Sequence, residues 1–199
     1  MNKPFSQACE NNKQPILEVL ESVFNLPCNL VEVGSGTGQH AVFFAEHLPH
    51  ITWQPTDQAE YLEGINQWVD EANLVNVKSP VQLNVRDESW PYQQLEAVFS
   101  ANTLHIMSWD EVEMFFTRLG EYLQPDAKFC SYGPYNKNGA FTSESNARFD
   151  QWLKQRDPLS GIRHMEDLIA LGKLNKIDLI TEVAMPANNR CLVWQKADD

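Results

Sequence analysis

The chain has 199 residues, 43% hydrophobic and 21% charged, a balance that suits one domain with a sizeable core and excludes wholesale disorder. Its formal net charge of −12 opposes phosphate backbones at long range, which ranks nucleic acid low among partners. Cys9, Cys28, Cys130 and Cys191 are scattered with no CxxC pair, the N-terminus lacks a signal-peptide core, and no run approaches the roughly 18 apolar residues of a membrane span; a reducing, cytoplasmic setting is expected, with no membrane anchor.

Along the chain, short β-like runs alternate with longer helical ones. Gln14–Asn25 carries Ile16, Leu17, Leu20, Val23 and Phe24 at helical spacing, and Pro15 sits near the predicted helix start. Asn29–Val33 reads as a strand, Gly38–Leu48 as a helix ended by Pro49, Ile51–Thr56 as a strand and Ala59–Ala72 as a helix. Ser79–Val85 is a weaker strand and Ala97–Ala101 a short buried one; Asp110–Leu123 is helical, and Ala127–Tyr132 is a strand closed by Gly133-Pro134. Ser143–Gln155 and Met165–Leu174 read as helices, then Ile177–Ala184 and Cys191–Gln195 as strands joined through Pro186–Asn189. This alternation predicts an α/β fold, a mostly parallel sheet with helices on both faces. The last two strands have no helix between them and are expected to pair antiparallel. In such sheets ligands bind beyond the carboxyl ends of the strands, here just after Val33, Thr56, Val85, Ala101 and Tyr132.

The stretch LVEVGSGTGQH places Gly34, Gly36 and Gly38 at a strand-to-helix junction, where bare backbone and free helix N–H groups can meet a ligand. Spacing narrows the ligand. A dinucleotide GxGxxG has Gln39 at its third glycine, a P-loop would end in GK[ST], and a GxSxG elbow has Val33 at its first glycine. What stands beside the turn is an acid, Glu32, which repels a pyrophosphate and suits a cation. Asp57 ends the second strand, 23 positions after Gly34, where an acid can accept from both hydroxyls of an unphosphorylated ribose. A cation with a ribose and no phosphate describes S-adenosylmethionine. The expected cofactor contacts are Glu32, Gly34, Ser35, Gly36 and Gly38 at the first strand end, Asp57 and Gln58 at the second, Asn84 and Val85 at the third, and Ser100 and Asn102 at the fourth. Structural roles compete: Glu32 can simply brace the turn, and Asp57 can cap the helix from Ala59.

The strings ACENNKQPILEVL, VEVGSGTGQHAVFFA, WQPTD, VFSANTLHIMSW, YGPYNKNGAFTSESNARFDQWL and MPANN cover much of the chain. On them the sequence resembles the class I S-adenosylmethionine-dependent methyltransferases, and more closely a methyltransferase-like family catalogued as a domain of unknown function (number 938). The resemblance implies a Rossmann-like sandwich with a seven-stranded sheet whose last strand is antiparallel. It also implies one domain over residues 1–199, in which residues 1–28 form a helical cap. Two positions depart from the family. Glu10-Asn11-Asn12 stands where relatives show Glu-Arg-Asn, and Asn84 stands where many carry aspartate; its side-chain oxygen can still accept from an adenine amino group.

Methyl transfer from a sulfonium is an in-line displacement that rests largely on positioning, and a base is needed only when the acceptor must lose a proton. His105, after the fourth strand, can serve as that base, or can pack beneath its loop. Tyr135, after the fifth, can wall the acceptor pocket, or can be a buried aromatic. The string Asn102-Thr103-Leu104-His105 is not the NPPY-like string of base-modifying enzymes. His40 and His47 lie about 10.5 Å apart along a helix, too far to share one metal ion, and no metal is expected. The reading is an S-adenosylmethionine-dependent methyltransferase for a small-molecule acceptor; the alternative is a noncatalytic cofactor- or partner-binding module.

Overall fold

The computed structural model describes residues 3–198. Its first helix, α1, spans Gln7–Val23 rather than starting near Pro15. Ser6 caps it, its side chain accepting from the Cys9 amide. Pro15 therefore lies inside the helix. The hydrogen bond it cannot donate falls on the carbonyl of exposed Asn11, where water can replace it. Ile16, Leu17 and Leu20 form the buried stripe of this helix.

There follow β1 (Cys28–Val33), α2 (Gln39–His47), β2 (Ile51–Asp57), a 3₁₀ turn (Ala59–Tyr61) and α3 (Leu62–Ala72). The next strand, β3, is only Val81–Gln82, so Asn84 and Val85 lie beyond it in a turn. β4 (Leu95–Ala101) leads to α4 (Trp109–Tyr122), whose start is fixed by a reciprocal Ser108–Glu111 capping box. β5 runs over Leu123–Asn136 and continues through Gly133-Pro134 instead of ending there. It can do so because β8 still pairs with it at both residues, while pairing with β4 stops at Tyr132. The missing Pro134 amide thus interrupts no ladder on the β4 side. The remaining elements are α5 (Glu144–Arg156, capped by Ser143), a short β6 (Arg163–His164), α6 (Met165–Leu174), β7 (Ile177–Met185) and β8 (Asn189–Lys196).

The sheet order is β3-β2-β1-β4-β5-β8-β7, with β6 pairing β5 off this path at Tyr135 and Asn136. All neighbours are parallel except β8, which is antiparallel to both β5 and β7. One face is packed by α1 and α2 through Ile16, Leu20, Ala41 and Phe44, around Trp53 and Phe99. The other is packed by α4 and α6 through Phe115, Phe116, Leu119 and Leu168, around Phe129 and Trp194. Helices thus lie on both faces of a Rossmann-like sheet. The order reverses between β1 and β4, and their carboxyl ends are where sheets of this kind place a ligand crevice.

Candidate functional site

The ends of β1 and β2 are laced together by short polar side chains. Thr56 donates its hydroxyl to the Glu32 carbonyl at 2.7 Å, and its carbonyl accepts from both the Gly34 and Ser35 amides at 3.0 Å. The Ser35 hydroxyl accepts from the Thr56 amide and donates to the Glu32 carboxylate, at 3.2 and 3.0 Å. The turn then needs backbone that side chains disfavour: Gly34, Gly36 and Gly38 have φ of +79°, +58° and +88°. A Cβ on Gly34 would sit 2.7 Å from the Thr103 hydroxyl, whereas a Cβ on Gly36 would meet nothing within 4 Å. Gly36 thus borders open space, the room a ligand needs to reach the backbone.

Two carboxylates face this turn. Glu32 is 1% exposed and accepts at one oxygen from Ser35 and from the Trp53 indole N–H, each at 3.0 Å. Burial, with the charge of Asp57 adding to it, pushes its carboxyl up to about 7 against the two hydrogen bonds. Asp57 accepts from the Gly36 amide at 2.7 Å and from the Gln58 amide at 2.7 Å. Its carboxyl is also raised, chiefly by burial. Asp57 therefore reaches back to the glycine turn and does not cap the following turn, where Gln58 holds the cap position. A positive charge brought between these acids relieves what each loses by leaving water; a phosphate would add to it.

The other sequence-predicted contacts divide. Asn102 stands at the end of β4 in left-handed conformation, φ +57°, its amide donating to the Tyr132 carbonyl. Gln58 is exposed beside Asp57. The Asn84 side-chain oxygen already accepts from the Arg86 amide at 2.9 Å, closing its own turn. Val85 and Ser100 are engaged within the protein. Val85 is a core residue beside Leu83 and Trp90, and the Ser100 hydroxyl donates to the Val33 carbonyl at 2.8 Å, pinning β4 to β1. So is Tyr135: it is 2% exposed and donates its hydroxyl into the core, to Ser131.

His105 is also inward. It is 6% exposed, its ring 5.3 Å from Phe149, its carbonyl accepting from the Gly161 amide. Burial, and then the Arg163 guanidinium, holds it down at about 4. Arg163 itself ties the β4–α4 loop to the chain before β6, donating to the carbonyls of Leu104, Met107 and Leu159.

A further polar group escaped the sequence reading. His40 hydrogen-bonds Asn12 at 2.7 Å, and the Tyr132 phenol hydrogen-bonds both Asn12 and Asn189. These four residues fix α1 over the ends of β5 and β8. Each falls within one of the strings that carry the family resemblance, which was the available signal. Asn11, where relatives carry arginine, accepts from Gln7 on the helix surface; Lys13 pairs with Glu10 and lies over the Phe43 ring. Among the described residues, no three His, Cys, Asp or Glu side chains are grouped to hold a metal ion. None of the described helices is long and apolar enough to cross a membrane.

Residues 3–196 match the family model described as "Protein of unknown function (DUF938)". Solved structures agree on the fold. An O-methyltransferase family protein from Burkholderia thailandensis superposes with a TM-score of 0.82 at 14% identity, over 94% of this chain and 56% of that one. The S-adenosylmethionine-dependent methyltransferase SibL, in its apo form, gives 0.80 at 17% identity, over 96% and 56%. An O-methyltransferase family 2 protein from Planctomyces limnophilus, in complex with apigenin, gives 0.82 at 11% identity, over 94% and 58%. The chain spans just over half the length of these three proteins. At such identities the likeness shows the fold, that of the S-adenosylmethionine-dependent methyltransferases.

Proposed function

We propose that this chain, which belongs to the DUF938 family, is an S-adenosylmethionine-dependent methyltransferase acting on a small-molecule acceptor. The observation that carries the reading is the pair of carboxylates, buried Glu32 and half-buried Asp57, at a glycine turn open beside Gly36. The residues fit the cofactor: the turn leaves room where a Cβ would project, and both acids have their charged forms disfavoured until a cation arrives. When bound, S-adenosylmethionine supplies an electrophilic methyl group on a sulfonium sulfur. Asp57 accepts hydroxyl hydrogens, Glu32 holds positive charge, and the Gly34–Gly38 backbone lets the ligand lie close. In-line positioning of an acceptor can contribute about 7–11 kcal/mol. His105, neutral at physiological pH, suits hydrogen bonding or an acceptor whose own proton leaves readily, such as an acidic hydroxyl. The small-molecule class is supported by the apigenin complex of one structural neighbour, and the cytoplasmic setting by four free cysteines.

Calorimetric titration with S-adenosylmethionine and S-adenosylhomocysteine tests the cofactor. Binding is expected, and Asp57→Ala should weaken it by about 1–3 kcal/mol. An absence of heat at millimolar ligand would sink the reading. A noncatalytic cofactor-binding module is the second reading, favoured by the inward placement of His105 and Tyr135. Labelled-methyl transfer into a metabolite pool separates the two, since a module binds and transfers nothing.

A further inference from the structure

The first described residues run beside the glycine turn, and the roles given to Glu32, Asp57 and the glycines do not use them. Lys3 lies 3.6 Å over the Trp68 ring and pairs with Glu71 at 2.6 Å. Trp68 donates its indole N–H to the Pro4 carbonyl at 2.7 Å. Gln39, the buried first residue of α2, accepts from the Ser6 amide at 2.5 Å and donates to the Ser6 carbonyl at 3.3 Å. The same side chain donates to Glu10 at 2.8 Å and accepts from the Thr37 hydroxyl at 3.0 Å. One amide thus joins the chain start, α1 and the glycine turn. The Cys9 thiol, hydrogen-bonded with Ser6 and Thr37, lies close enough to Glu32 to feel its charge.

α3 supports the same contact from the other side. A Cβ on Gly38 would come 3.0 Å from the Ile65 Cα and 3.3 Å from the Trp68 Cβ, so Trp68 touches the glycine turn and the N-terminal segment together. Gly64 marks how closely that segment is seated: a Cβ there would lie 2.6 Å from the Pro4 ring.

We propose that Lys3–Ser6 form a strap closing one side of the cofactor cleft, and that Gln39 is the positioning residue latching it to the glycine turn. Strap docking and cofactor affinity are then coupled, because the ligand meets a complete cleft only when the strap is seated. The ligand's identity rests on the methyltransferase reading; the strap rests on its contacts alone.

Gly64→Ala is the decisive variant. Alanine is the better helix former, so on α3 itself the change stabilises, yet the added methyl displaces Pro4. The expected result is an unchanged or raised Tm without ligand, faster amide hydrogen exchange over residues 5–9, and S-adenosylhomocysteine affinity lowered about tenfold. Gln39→Ala should lower the affinity similarly. A merely structural contact would move Tm and affinity down together. Faster exchange with unchanged affinity overturns the coupling, and unchanged exchange in Gly64→Ala overturns the strap. Failure of the unaltered protein to bind S-adenosylhomocysteine is a failure of the methyltransferase reading and takes the coupling with it. It is seen before any variant is compared, and strap docking is still read from exchange.

Discussion

The crevice at the carboxyl ends of the strands has two unlike halves. At the ends of β1 and β2, the Gly36 backbone borders open space, and two acids beside the turn have their charged forms held at a disadvantage. At the ends of β4 and β5, the polar side chains are turned inward: Ser100 onto Val33, Tyr135 onto Ser131, His105 against Phe149. The first half is prepared for a ligand of defined charge, whereas the second is already satisfied by the protein. Such a division suits a fold that keeps one cofactor and admits varied acceptors, since function resides in the site and not the fold.

Gly34→Ala should strike the first half hardest. Its φ of +79° and the Thr103 hydroxyl 2.7 Å from the new methyl combine strain with overpacking. A loss of about 2–4 kcal/mol in stability is expected, with S-adenosylmethionine binding gone, by denaturant titration and calorimetry. A variant that binds normally would mean the turn is not the ligand's seat.

Glu32→Gln sharpens the charge argument. The Glu32 carboxyl is held at about 7 in the fold against its ordinary 4.5 when unfolded, so between those values the folded state keeps a proton that the unfolded state has lost. Stability therefore falls as pH rises through that window, by on the order of 3 kcal/mol in all. The glutamine variant should escape this fall, being more stable than the parent at pH 8 and similar near pH 4, while binding S-adenosylmethionine more weakly. Parallel stability curves would remove the buried charge from the account.

The smallest effect is expected in the second half. Tyr135→Phe deletes one buried hydrogen bond, to Ser131, which still accepts from Trp194. A loss of about 1 kcal/mol in thermal stability, with unchanged S-adenosylhomocysteine affinity, is the expected outcome. Altered affinity would show that the two halves communicate.

The glycine turn and its acids were legible in the sequence because local chemistry fixes them: a strand, residues suited to positive φ, then a helix. The elements misjudged depend on distant partners. Gln7–Lys13 is polar and lacks apolar periodicity; it is helical through the Ser6 cap and its ties to Gln39 and His40. β5 passes through Gly133-Pro134 only because β8, over fifty residues later, pairs there. Facing was equally hidden: Tyr135 and Ser131 share one side of β5, and their pairing across four residues directs the phenol into the core.

The placement of β8 between β5 and β7 bears on how the sheet assembles. Until Asn189–Lys196 is in place, β5 and β7 have no strand to join them, and one edge of β5 offers unpaired backbone to any neighbouring chain. The sheet therefore closes only when this strand inserts, and its docking is the step that removes the exposed edge of β5.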